Sequence, residues 1–400
     1  MDKYNHFCQK ALLYFIPIIL IVDFVTKFII LEDYNIPQIS SYTKLFIEIL
    51  LLLFIFNNFK KTSKDLLLLF LLSVIFLIGQ ILNAIISGYN LNDLYYNLYT
   101  HNAFLFFPFF AIVLKNTNNY HIVIKKNIDF LKKISLINMV FIILGFFLEI
   151  EIFKSYPLTE RFGYNGLLSS SSSASYFFIA STLVFYIDYF HSKDKKTLLI
   201  LLINIIASLF VGTKTIWFFL LLLILIHFCF LVSKKALIIN RTIVVLLLFI
   251  IVILKEKIKL FIVSLFNFGQ KIYDEHGFIT VITSTRDLYL KKVIAHYSEN
   301  ASLNNFLFGG FNVFDIRVEF EFINLFVFYG LIGFLTYIYI LKTLYKNVLK
   351  SFPIISIFIA VTITVSLSGG FFYSVFSSIV IYLAFQYFHI KNKQFKSDKF

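Results

Sequence analysis

Apolar runs of roughly 17–22 residues recur along the chain, separated by polar connections that carry most of its charge. That is the length an α-helix needs to cross about 30 Å of hydrocarbon. The runs fall near 11–31, 43–59, 66–87, 96–114, 134–152, 172–190, 197–212, 214–233, 237–254, 319–341, 352–367 and 370–388. The pattern predicts about twelve membrane-spanning helices. The runs are too long and too uniformly apolar for the alternating strands of a β-barrel, and a helix satisfies its own backbone in lipid. The expected fold class is an all-α polytopic membrane protein. Helices 1–9 occupy residues 1–254, one large outer loop residues 255–318, and helices 10–12 with a polar tail residues 319–400.

Composition agrees. Of 400 residues, 59% are apolar, 20% aromatic and only 14% charged, which no soluble domain of this length would carry on its surface. Cations in the short connections set orientation. Lys60, Lys61 and Lys64, then Lys115, Lys125, Lys126, Lys132 and Lys133, then Lys193, Lys195 and Lys196 fall in alternate connections. Lys234, Lys235 and Arg241, then Lys342, Lys346 and Lys350 continue the series, and the tail adds Lys391, Lys393, Lys396 and Lys399. Opposite connections hold Glu32, Asp33, Asp93, Glu151 and Glu160. Both termini are therefore expected in the cytoplasm, with the first span kept as a signal anchor. The net charge of +14 reflects this bias and attraction to anionic membrane lipids, with no call for nucleic acid. Cys8 and Cys229 both fall at or near the cytoplasmic side, where a disulfide does not form. No metal-ligand spacing and no phosphate-binding glycine loop occurs, so neither metal nor cofactor is expected.

Two outer loops stand apart. The long one includes FITVITSTRDLYLKKVIAHY, in which Ile279, Ile282, Leu288, Val293 and Ile294 suit the faces of short helices in a folded cap. The other, KSYPLTERFGYNGLLSSSSS from Lys154, ends in serines suited to capping the next helix, with a flexible hinge as the alternative. Outer cations are scarce enough to be candidates for an anionic substrate such as a pyrophosphate: Arg161 in ERFGYNG, Lys214 in VGTKTIW and Arg286 in TSTRDLYL. The alternative is that each pairs with a nearby acid, such as Glu160 or Asp287, or reaches to the interface.

Glu319 and Glu321 open an apolar run where the long loop re-enters the membrane, a position at which acid is costly unless it faces a cavity. A carboxylate there suits a general base. Positions two apart on a helix point about 200° away from each other, so both face one cavity only if the helix starts after the run does. Arg317 is spaced to pair with Glu321, which leaves Glu319 as the preferred base. His296 is a further candidate base. Asp23 and Lys27 are spaced for a local pair, and Glu48 and Glu149 are candidates to line a lipid path.

The order of these features resembles that of the bacterial O-antigen and capsule repeat-unit polymerases, the Wzy family, and their relatives the O-antigen ligases. R-F-G-Y-N-G from Arg161 is similar to the family's first outer arginine motif, and V-G-T-K-T-I from Val211 to its tight turn. T-S-T-R-D-L from Thr283 stands where a second arginine motif does, and F-L-F-G-G-F from Phe306 resembles a downstream glycine pair. V-E-F-E-F-I-N-L-F-V-F-Y-G-L-I-G from Val318 is similar to the acidic pair and Y-G-x-x-G, and S-L-S-G-G-F-F-Y from Ser366 to the closing glycine motif. The likeness runs from about Arg161 to the end; earlier spans match in hydropathy alone. Lys214 departs from the arginine usual at the turn, which keeps charge but loses the fork. The histidine–asparagine motif of the ligase branch is missing, which favours polymerase.

The resemblance implies a C-type glycosyltransferase-like membrane enzyme without cofactor, in the bacterial cytoplasmic membrane. It would transfer a growing glycan from undecaprenyl diphosphate to a new lipid-linked repeat unit at the outer face, with a chain-length regulator as a possible partner. Arg161, Lys214 and Arg286 would bind pyrophosphate. A ligase is the nearest alternative and a lipid-linked sugar flippase the next, although no internal repeat of the kind transporters carry is visible.

Overall fold

The computed structural model describes residues 2–32, 39–87, 91–157, 161–231, 242, 253–264, 269–300, 302–312 and 318–397. Among them all regular structure is helical, apart from an isolated bridge between Lys154 and Tyr164. The first helices are α1 (Asp2–Leu13) and α2 (Phe15–Leu31), bent by 66° where they meet, then α3 (Ile39–Asn57) and α4 (Phe59–Ser87). After them come α5 (Leu91–Asn116), α6 (Tyr120–Leu148), α7 (Ser171–Ser192), α8 (Lys195–Leu209) and α9 (Lys214–Ile226), which runs into a π-turn at His227–Leu231. The long loop holds α10 (Lys255–Ser264), α11 (Gly269–His276), α12 (Phe278–Thr283), α13 (Arg286–Asn300) and α14 (Leu303–Phe308). The chain closes with α15 (Glu321–Tyr345), α16 (Phe352–Ser366) and α17 (Val375–Ser397).

The protein is an all-α membrane protein: 6 of the described helices are long and apolar enough to cross a bilayer, or 7 if the bent pair is one span. Among the described residues, helices also lie along the expected spans at 172–190, 197–212, 352–367 and 370–388, but α8 and α16 have only 15 residues. The expected span at 237–254 lies, apart from Thr242 and its last two residues, outside the described residues.

Boundaries depart from the hydropathy pattern where lysines are dense. α4 and α6 are each 29 residues long, about 43 Å. Lys60, Lys61, Lys64, Lys125, Lys126, Lys132 and Lys133 therefore belong to helix rather than to connections. Lysine is a good helix former, and the end of an apolar run marks the edge of lipid rather than the end of the helix.

α7 forms the centre. Every residue from Ser173 to Ile187 is buried, and α17 and α8 are its main neighbours. A helix buried on all sides belongs inside a bundle. Large side chains on the outer helices, such as Phe56, Leu67, Ile85 and Phe147, are by contrast exposed, as a lipid-facing surface requires. Asn127 on α6 crosses to the bend between α1 and α2: its Nδ2 donates to Leu12 O at 2.7 Å and its Oδ1 accepts from Ile16 N at 3.2 Å. Those backbone groups have no helical partner at the break.

The cap is bound to the bundle through backbone. α15 breaks at Gly330, whose φ of 66° and ψ of −177° no residue with a side chain adopts at low cost. The break lets the loop after α14 lie directly on α15, where Gly310 N donates to Phe328 O at 3.4 Å. Asn83 Nδ2 donates to Gly310 O at 2.8 Å and Asn97 Nδ2 to Phe311 O at 3.0 Å, fastening the same loop to α4 and α5. The glycine pair read from F-L-F-G-G-F is thus a point of close backbone approach.

The cap is made of short helices, and its buried face matches the expected one only in part. Val293 is buried and Leu288 half-buried, but Ile279, Ile282 and Ile294 are exposed and Val281 is buried in their place. Ser284 and Thr285 have φ of 56° and 70°, and this left-handed break between α12 and α13 resets the periodicity that a continuous helix would have.

Candidate functional site

A cavity of about 1220 Å³ opens between the first half of the bundle, the start of α7, the α8–α9 turn, the cap and the turn before α17. It exceeds the roughly 300–1,000 Å³ of an ordinary small-molecule pocket. Arg161, Lys214, Arg286, Glu319 and Glu321 all line it. His296 does not; its ring lies 5.6 Å from that of Phe311, edge to face, against the loop after α14. Glu149 also lies elsewhere, as the left-handed C-cap of α6.

Three loops assemble the cationic wall. The segment after α6 and the α8–α9 turn are joined through backbone, with Tyr164 N donating to Phe210 O at 2.7 Å. Ser155 Oγ adds a bond to Val211 O at 2.9 Å. That contact brings Arg161 and Lys214 together although 53 positions separate them. The Arg161 guanidinium stacks 4.0 Å above the Tyr156 ring, which fixes the plane of its fork. Lys214 Nζ donates to Val281 O in α12, and the fields of Arg161 and Arg286 both reach it.

Arg286 stands at the start of α13, directly after the left-handed Ser284 and Thr285. Its Nε donates to Glu319 Oε2 at 3.1 Å and its Nη1 to Leu367 O at 3.2 Å. Two of the five guanidinium donors are thereby placed. Asp287 beside it is turned into the cap, accepting from Thr280 and Thr283 hydroxyls at 2.6 Å each, and does not neutralise Arg286.

The two glutamates share the cavity because α15 starts at Glu321. Glu319 precedes it with a φ of 60°, a conformation that costs a side-chain-bearing residue about 1 kcal/mol. Strain of this kind collects at functional sites. The Glu319 side chain is 53% exposed, while Glu321 is buried. Glu321 accepts Gly370 N on Oε2 at 2.9 Å and Phe372 N on Oε1 at 2.5 Å, so it holds the turn before α17 in place. Arg317, its expected partner, lies outside the described residues, as does Glu160.

The serine run does cap α7: Ser170 Oγ accepts Ser173 N at 3.1 Å, and Ser172 Oγ reaches Gly369 O at 3.2 Å. Asp23 and Lys27 do not pair with each other. Asp23 takes Lys44 at 2.9 Å and the Ser40 hydroxyl, whereas Lys27 Nζ donates to Asn165 Oδ1 at 2.7 Å and Gly166 O at 3.3 Å. Helical spacing would allow the local pair, but neighbouring elements offer each group a partner, and Lys27 thereby anchors the loop that presents Arg161.

A tyrosine-rich part of the lining was not anticipated. Tyr42, Tyr95, Tyr96 and Tyr99 face the cavity from α3 and α5 with much of each ring exposed, alongside Lys44. Glu48, expected on a lipid path, is there too and accepts Asn102 Nδ2 at 2.7 Å. The signal was present in D-L-Y-Y-N-L-Y at Asp93–Tyr99, tyrosine-rich at an expected membrane boundary. The cavity is therefore lined by cations from three loops, by tyrosines from α3 and α5, and by carboxylates.

Comparison of the chain with protein-family models, with curated proteins and with solved structures finds no match.

Proposed function

We propose that the chain is a lipid-linked oligosaccharide polymerase of the cytoplasmic membrane, with the large cavity as its active site. The observation that carries this reading is the convergence of Arg161, Lys214 and Arg286 from three separate loops on one cavity that also holds Glu319. The cationic wall suits the diphosphate of an undecaprenyl-linked donor, and the tyrosine wall suits sugar rings, which present apolar faces to aromatic ones and hydroxyls to phenols.

In the reaction, an acceptor sugar hydroxyl attacks the anomeric carbon of the donor glycan. The bond from that carbon to the diphosphate oxygen breaks, and undecaprenyl diphosphate departs with the electron pair. Arg161, Lys214 and Arg286 stabilise the charge that builds on the departing oxygen. Glu319 takes the acceptor proton. Its ion pair with Arg286 fits this sequence of events: a diphosphate outcompetes one carboxylate for the guanidinium, so donor binding releases Glu319 for the acceptor. Glu321 positions the turn at Gly369 and Gly370 against which Glu319 rests. The donor is already activated, so holding two lipid-tethered sugars in line and excluding water is the protein's main contribution.

The test is chain extension by purified protein supplied with lipid-linked repeat units. Glu319→Gln keeps size and polarity but cannot accept a proton, so turnover should fall by roughly 10²–10⁴-fold with donor binding nearly unchanged. Extension at the normal rate by Glu319→Gln would remove Glu319 as base. Transfer of finished polymer to a different acceptor, with no extension, would make the protein a ligase.

A further inference from the structure

A second cavity, of about 330 Å³, lies at the other end of the helices that border the first. α5, α15 and α17 each meet the large cavity near their N-terminal ends and the small one near their C-terminal ends. On α17, Val375 borders the first and His389 the second, about 21 Å further along the axis. The small cavity is thus at the lysine-rich end of the bundle, the end expected at the cytoplasmic surface.

Its lining is amphiphilic. Leu114, Ile124, Leu344 and Tyr382 are buried and make an apolar floor that Asn347, Gln386 and His389 border, whereas Lys115, Lys350 and Lys393 are exposed at the rim. Lys115 sits 3.3 Å from Asp65. Lys350 and Lys393 enter no ion pair among the described residues, and they come from different elements, the turn after α15 and the last helix. Lysines near helix C-termini answer the helix dipole, which accounts for cations there but not for their placement around an apolar hollow. A free phosphate ion would use the rim and leave the floor in water. An anionic group joined to apolar carbon uses both.

We propose that this cavity binds the phosphate headgroup of an anionic phospholipid, with Lys350 and Lys393 on the phosphate and the glycerol end of the acyl chains on the apolar floor. Basic hollows between membrane helices at the cytoplasmic surface suit such headgroups, which are plentiful in that leaflet. The assignment is independent of the reaction proposed for the large cavity.

The experiment uses the full chain in detergent and native mass spectrometry, with phosphatidylglycerol, phosphatidylethanolamine and inorganic phosphate as separate probes. Phosphatidylglycerol should be retained at least tenfold better than phosphatidylethanolamine. The double variant Lys350→Gln with Lys393→Gln should weaken that retention roughly 30-fold, and Lys350→Arg with Lys393→Arg should keep it. Both lysines are exposed, and each variant is checked for unchanged elution as a monodisperse species. The control pair Lys193→Gln with Lys195→Gln, at exposed positions outside the cavity, should bind like the parent. Equal retention of the two lipids, an unaffected Lys350/Lys393 variant, or the same loss in the control pair would each overturn the proposal. Displacement of the lipid by inorganic phosphate at equal concentration would overturn it in favour of a site for the free ion.

Discussion

Glu321→Gln separates a carboxylate that holds structure from one that reacts. In the native protein, each Glu321 oxygen accepts one backbone N–H, from Gly370 at 2.9 Å and from Phe372 at 2.5 Å, and the side chain is buried. A hydrogen bond to a charged group contributes roughly 1.5–3 kcal/mol. Glutamine keeps one acceptor oxygen but turns an NH₂ toward the other backbone N–H. One charge-assisted bond is lost and a buried donor is left unmet, for a total of about 2–4 kcal/mol. Solvent offers no relief at a buried position. The loss falls on the 369–374 turn, so it should appear first as local opening. Hydrogen exchange at the Gly370 and Phe372 amides should accelerate by about 30-fold or more, since every 1.4 kcal/mol is tenfold. Glu319→Gln, measured alongside, should leave those two amides protected. Unchanged exchange at both amides in Glu321→Gln would refute the clamp and return Glu321 to the list of candidate bases.

Arg286→Ala should lower chain extension by about 10²-fold or more while protein abundance holds, and Arg286→Lys should recover only part of it, because lysine lacks the fork that meets both Glu319 and Leu367 O. Normal polymer length from Arg286→Ala would remove that role. Gly369→Ala would set a Cβ 2.8 Å from Glu319 Cβ and 2.9 Å from its Cα, forcing the base aside. A displacement near 1 Å costs about 10²-fold, to be read in the same extension assay. For Asp287, burial pushes its carboxyl up, but the bonds from Thr280 and Thr283 outweigh this and hold it below the usual range. Its folded value then lies below the unfolded value of about 3.9, so its stabilisation of the cap is complete above that pH and lost as pH falls through the folded value. Limited proteolysis of the cap should be steady from neutral pH down to about 5 and rise below about 4, and Asp287→Asn should remove the acid step.

Much of the architecture was legible from the chain. Runs of apolar residues long enough to span lipid impose helices wherever they occur, because lipid offers the backbone no other partner. The serine cap of α7 and the short helices of the cap follow from local rules of the same kind. Where lysines extended α4 and α6 past their apolar limits, the pattern erred, since it measures affinity for lipid and not hydrogen bonding along the backbone.

The candidate site was legible in its parts but not in its assembly. Arg161, Lys214 and Arg286 are visible in the sequence as scarce outer cations, and Glu319 as an acid where the chain re-enters the membrane. What they face depends on contacts between segments far apart in the chain: the Tyr164–Phe210 backbone bond that joins two loops, the break at Gly330 that seats the cap, and the late start of α15 that turns both glutamates toward one space. His296 faced Phe311 instead, and Asp23 and Lys27 found partners other than each other, for the same reason. The sequence by itself determined that this chain is a helical membrane protein, because burial in lipid acts on each segment independently. Only the tertiary structure decided which charges meet, because a side chain's partner is set by the close approach of elements that local pattern does not encode.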